Sequence, residues 1–64
     1  MSPLAQTIVA ELKSRPQQFD EVVDAHRDSA WRDFLYAWGE VRAANVLQRD
    51  DDGAFFIPAD AAVP

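Results

Sequence analysis

The run Trp38-Gly39-Glu40-Val41-Arg42-Ala43-Ala44-Asn45-Val46-Leu47-Gln48-Arg49-Asp50-Asp51-Asp52-Gly53-Ala54-Phe55-Phe56-Ile57 changes its hydrophobic period part-way along. Up to Asn45 it continues a helical stripe that begins upstream, with Trp31, Phe34, Leu35, Trp38 and Val41 at i, i+3, i+4, i+7 and i+10. Asparagine tolerates the left-handed conformation that ends many helices, so Asn45 is the expected stop. After it the period falls to two. Val46 to Arg49 and Ala54 to Ile57 read as short strands, and the Asp-Gly pair between them is a strong hairpin signal. Gly39 interrupts the helical stripe. Glycine costs a helix about 1 kcal/mol against alanine, which predicts close packing of that position against another helix. The run therefore reads as a long helix feeding directly into a β-hairpin.

Upstream, Ser2-Pro3 opens a first helix: serine is a good N-cap, and proline at the first helical position loses no needed hydrogen bond. Leu4, Ile8 and Leu12 recur at helical spacing, with Ala5 and Val9 widening the stripe. Pro16 ends this helix, because the residue before a proline avoids the α region, and places it at about 3–14. Arg15 to Gln18 is a connector. A shorter second helix follows in Phe19-Asp20-Glu21-Val22-Val23-Asp24-Ala25-His26, with acids in the first turn where the helix dipole favours them. Gln18 and Glu21 stand at capping-box positions, and Phe19, Val22 and Val23 supply the buried face. Asp28 and Ser29 are candidate N-caps for the third helix. Pro58 closes the second strand, and the small-residue tail, residues 59–64, is expected to be disordered.

The expected fold is one domain over residues 1–58, mainly α with a small β-hairpin, in the order α-α-α-β-β. A chain of 64 residues has room for one domain. At that size only about 60% of the unfolded surface is buried. There is no cysteine, so packing alone must hold the core. The material is present: 48% of residues are apolar, and the aromatics concentrate in the middle and late chain. Eleven acids against six bases give a net charge of −5, which tilts against phosphate backbones and anionic membranes as partners. No apolar run approaches the roughly 20 residues that span a bilayer. The N-terminus carries no basic and apolar signal-peptide pattern, so a cytoplasmic protein is expected.

Two stretches carry a family resemblance. Phe19-Asp20-Glu21-Val22-Val23 resembles the aromatic-acid-acid-aliphatic opening of the second helix of winged helix-turn-helix domains. Trp38 to Leu47 resembles their third helix turning into the wing, with Asn45 where a glycine is usual. Asp51-Asp52-Gly53 followed by aromatics resembles the wing tip and returning strand. The chain is similar to that family over about residues 3–58, as a small stand-alone bacterial-type winged-helix domain. The resemblance implies a third helix that, in DNA-binding members, enters the major groove while the wing touches phosphates. One fold hosts many functions, so the exposed side chains decide what is bound.

On the third helix Arg32, Asp33, Tyr36, Glu40, Arg42 and Ala43 are expected to face outward. Arg32 could read guanine and Tyr36 a phosphate, but Asp33 and Glu40 share their surface. Asp50, Asp51 and Asp52 occupy the wing, and the six bases form no stripe. The arginines are expected in ordinary helical ion pairs such as Asp28 with Arg32. Trp31 and Trp38 are expected in the core, with room for one to remain partly exposed. Phe55 and Phe56 are adjacent in a strand and point to opposite faces, so only one enters the small core, and the other either packs under the tail or is exposed and marks an interaction edge. His26, the single histidine, reads as a surface or helix-end residue, and the aspartate run as a solvated turn rather than a calcium loop. No phosphate-binding glycine loop, zinc motif or serine-nucleophile motif occurs, so neither an enzyme nor a cofactor is expected.

These balances favour a non-catalytic protein-interaction or accessory module. Its partner would be another protein or a second copy, and its contact residues Arg32, Tyr36, Glu40 and the outward one of Phe55 and Phe56. The alternative is a small DNA-binding transcriptional regulator, acting as a dimer through Arg32, Tyr36 and Arg42 of the third helix.

Overall fold

The structure, a computed structural model, describes residues 1–63. Helix α1 spans Pro3–Ser14. The Ser2 hydroxyl accepts a hydrogen bond from the Ala5 amide at 3.2 Å, and Pro3 occupies the first turn. Arg15 is extended ahead of Pro16 and stops the helix. Helix α2 spans Phe19–Ala25, and the Glu21 carboxylate accepts from the Gln18 amide at 2.8 Å. Helix α3 spans Trp31–Ala43. Its N-cap is Ala30, not Asp28 or Ser29, and no side chain caps it. The two expected caps lie in the turn that precedes it, where the Ser29 amide donates to the His26 carbonyl at 3.0 Å.

Asn45 takes φ +60 just past α3, as its position predicts, and turns the chain into the hairpin. Strand β1 (Gln48–Arg49) pairs antiparallel with strand β2 (Phe55–Phe56), placing Gln48 opposite Phe56 and Arg49 opposite Phe55. Both strands are shorter than the apolar runs that predicted them. The turn is built by Asp50, whose Oδ1 accepts from the amides of Asp52 at 2.9 Å and Ala54 at 3.0 Å. Gly53 has φ +80, the left-handed position of a three-residue hairpin loop. The α1–α2 connector also joins the sheet. The Gln17 amide donates to the Phe55 carbonyl at 2.9 Å, and the Phe55 amide returns a bond to the Gln17 carbonyl at 2.7 Å. The Ile57 amide donates to the Leu12 carbonyl at 3.1 Å, tying the end of the hairpin to the end of α1.

The core lies between α1 and α3 under the hairpin. Ala5, Ile8 and Leu12 of α1 meet Phe34, Ala37 and Val41 of α3, and Val22 and Ile57 close the two sides. Each large side chain buried this fully contributes roughly 1.5–3 kcal/mol. In the segment expected as a disordered tail, Ala61 and Val63 lie against the core, and the Lys13 Nζ donates to the Ala61 carbonyl at 2.9 Å. Pro64 of that segment lies outside the described residues. No helix among the described residues is long and apolar enough to cross a membrane.

Two expectations about α3 need correction. Leu35 belongs to the predicted core stripe but is 45% exposed, and Trp31, at 56%, is the tryptophan that remains partly exposed. Gly39 is not packed against a helix: it faces outward, and a methyl group added there would meet no atom within 4 Å.

The two glycines should therefore respond in opposite ways. Gly39→Ala should raise stability by about 0.5–1 kcal/mol in urea unfolding, since it improves a helix interior without a clash. Gly53→Ala should lower it by about 1 kcal/mol, since alanine would have to hold the left-handed backbone.

Candidate functional site: the exposed face of the third helix

One edge of the aromatic core reaches the surface along α3. Phe34 is fully buried and stacks on both of its helical neighbours, Trp31 at 5.6 Å and Trp38 at 6.4 Å between ring centroids. Trp38 is buried between the rings of Phe19 at 5.1 Å and Phe55 at 5.2 Å, both edge-on. Trp31 lies at the open end of this ladder and shares its helical flank with Leu35, four residues on. Phe19, expected to be buried, is 37% exposed beside Trp38. Tyr36, at 70%, is the most exposed large hydrophobic residue of the chain. Phe19 and Trp31 thus extend a packed aromatic cluster outward, and Leu35 is exposed one helical turn from Trp31.

The polar side chains predicted for this helix divide. Arg32 and Arg42 are exposed, as expected, and neither makes an ion pair among the described residues. The expected Asp28–Arg32 pair does not form. The ion pairs among the described residues are Arg15–Glu21, Arg27–Asp24 and the Met1 ammonium with Glu40. Glu40, expected to point outward, is half-buried and turned toward α1. Its two oxygens accept from the Ser2 amide at 3.2 and 3.1 Å. The Ser2 amide precedes α1 and has no helical partner, so Glu40 completes the cap from across the domain. The Ser2 side-chain hydrogen bond holds the Glu40 carboxyl below its usual value, burial opposes this, and the Ser2 amide and the Met1 ammonium lower it further.

Neither hairpin phenylalanine is fully exposed. Phe55 enters between Trp38 and the Arg49 guanidinium, which sits 4.6 Å over its ring, while Phe56 is half-buried outside the core cluster. The Arg49 Nε also donates to the Gly53 carbonyl at 3.2 Å, so the single base of the hairpin is held in place at its own turn. The exposed groups at the tip are Asp51 and Asp52. The Gln18 side chain donates to the Asp52 carbonyl at 2.9 Å, which fixes the acidic tip beside the start of α2 and next to Phe19. On the other flank of α3 a groove of about 600 Å³ opens against the start of α1, lined by Pro3, Leu4, Asp28, Ala30, Asp33 and Tyr36.

His26 is half-buried at the C-cap of α2, with Nε2 2.6 Å from Glu11 Oε1. The bond joins α2 to α1 across 15 residues of sequence. Among the described residues no group of three His, Asp or Glu side chains converges as a metal site.

No protein-family model, curated protein or solved structure matches the chain. The site therefore rests on its geometry. Arg32, Tyr36 and Arg42 are exposed as the sequence predicts and Trp31 is the tryptophan left partly exposed, whereas Leu35 and Phe19, expected in the core, also reach the surface. The signal was present in the stripe itself. Five large residues on a helix that must also bury Ala37 cover more of its circumference than one short neighbouring helix can hide.

Glu40 supplies a pH test. Its folded-state value lies below the ordinary value near 4.5, so its contribution to stability is present above that pH and is lost as pH falls through the folded value. Glu40→Gln should therefore be less stable than the parent chain at neutral pH. The difference should narrow as the pH is lowered past about 4.5 and close once it falls below the folded value of Glu40, read from thermal melts across pH.

Proposed function

We propose that this chain is a non-catalytic interaction module of winged-helix type that engages another protein through the exposed face of α3. The observation that carries this reading is the partly exposed group of Trp31, Leu35 and Phe19, continuous with the aromatic core. Exposed aromatic anchors of this kind dominate protein interfaces, because they bring large area at low entropic cost. Gly39 supports the same face. A helix-interior glycine is unfavourable, and nothing inside the domain requires it. It leaves a low point on the outward surface of α3 where a partner's backbone can approach. Tyr36 and Arg32 are exposed on the same helix and add polar contacts.

The winged-helix assignment is supported by the element order and by the Gln17–Phe55 bridge, which gives the hairpin a third sheet position between the first two helices. DNA binding by Arg32, Tyr36 and Arg42 draws less support. The hairpin tip presents Asp51 and Asp52 to solvent, and Arg49 is folded back onto Phe55.

A photo-crosslinking amino acid at Leu35 or Tyr36 should capture one discrete protein in cells, while the same group at Gln6 on the exposed side of α1 should not. An equal, diffuse pattern at all three positions counts against the α3 face. Titration of mixed-sequence duplex DNA should give no anisotropy change at about 50 mM salt. Micromolar binding there that collapses at about 200 mM would favour the regulator instead.

A further inference from the structure

Resting on that reading of α3, we infer that the segment docked on its face is a basic amphipathic one, with apolar side chains against Trp31 and Leu35 and lysine or arginine side chains over the flanks. The apolar half of the inference follows from the exposed aromatic flank. The basic half follows from what surrounds it. Of the six aspartates that are exposed and outside every ion pair among the described residues, five, Asp20, Asp28, Asp33, Asp51 and Asp52, belong to α2, α3, the turn before α3 and the hairpin tip, and the sixth is Asp60 near the C-terminal end. The five occupy defined places around α3. Asp20 follows Phe19 in α2, and the Gln18–Asp52 bond holds the hairpin tip alongside. Asp28 and Asp33 line the groove on the opposite flank, together with the ring of Tyr36 and the apolar Pro3, Leu4 and Ala30. No basic side chain lines that groove.

The sign of the groove survives the opposing effects. The starts of α1 and α3 both border it, and each helix N-terminus contributes roughly half a positive charge. The two aspartates exceed that sum, and Glu40 nearby is already matched by the Ser2 amide and the Met1 ammonium. Within the groove an arginine or lysine stem would lie along Leu4 and Pro3, with its charge near the aspartates and the Tyr36 face. Arg32 and Arg42 are the two bases of α3, too few to reverse the acidic surround.

Charge also selects among occupants. A second copy would bring the same acidic rim against itself, with −5 on each chain. A polyanion would meet the hairpin tip and both flanks with the wrong sign. A basic partner is attracted over long range and held by the apolar contacts once seated.

The test uses the whole chain and three 14-residue helical peptides without aromatic residues: leucine with lysine, leucine with glutamate, and serine with lysine. Trp31 is the reporter, since Trp38 is buried. The leucine–lysine peptide should shift the emission of Trp31 and bind at least about tenfold more tightly than either other peptide. Asp28→Asn with Asp33→Asn should weaken it about three- to tenfold, with the circular dichroism unchanged and binding of the leucine–glutamate peptide not weakened. Equal or tighter binding of the leucine–glutamate peptide overturns the inference. So does equal binding of the serine–lysine peptide, which needs no apolar face, or no binding by any of the three. Crosslinking from Leu35 to a discrete protein alongside such a result would overturn only the basic character of the partner. Diffuse crosslinking would remove the α3 face itself.

Discussion

The pair of hydrogen bonds between Gln17 and Phe55 holds the architecture together. It converts the connector after α1 into a sheet position and fixes the hairpin against the helices. Phe55 is thereby placed edge-on to Trp38, and Trp38 in turn positions the rings of Phe34 and Phe19. The extended backbone forced on Arg15 by Pro16 lets the connector run alongside β2. Gln17 is itself buried, so unpaired peptide groups there would be costly. A two-stranded hairpin alone is marginal in water, and this third position is what makes it part of the core.

The domain has more apolar surface than it can enclose. Helices α1 and α3 enclose Ile8, Leu12, Phe34 and Val41 completely, and Val22 and Ile57 seal the sides. Among the described residues Trp31 and Leu35, in the first turns of α3, stay exposed on one flank. In a chain this short the surface-to-volume ratio forces such a choice. The choice made here leaves the aromatic end of the core at the surface rather than an aliphatic one. An aromatic patch is the better contact surface, because a planar ring keeps few rotamers to lose.

Local chemistry made much of the fold legible in the sequence. Ser2-Pro3, Pro16, Asn45 and the Asp-Gly turn each impose a backbone conformation within a few residues, and each marks a real boundary. What depended on long-range geometry was harder to read. Periodicity placed Trp31 and Leu35 on the core side of a helix but did not say which neighbouring element would reach that flank. Glu40 fell on the outward side of the stripe, yet the start of α1 offered an unpartnered amide, and 38 residues separate it from Ser2. Gln17 had the composition of a loop residue and gave no sign of its sheet partner. The candidate site was half legible for the same reason: charged and polar residues such as Arg32 and Tyr36 declare their exposure, whereas an exposed tryptophan looks like a core residue until its surroundings are known.

The Gln17–Phe55 bridge also bears on how the chain is made. Its partners lie far apart in sequence, as do Leu12 and Ile57, so the contacts that complete the domain join its beginning to nearly its last residues. Such non-local pairing slows folding relative to a simple helical bundle. A nascent chain that has released only its three helices exposes the hairpin-facing side of Trp38 and leaves the amide and carbonyl of Gln17 without their strand. The domain therefore closes late, on the arrival of Phe55 and Ile57. Until then its first connector is an open strand edge, the kind of surface on which partly made chains associate with one another.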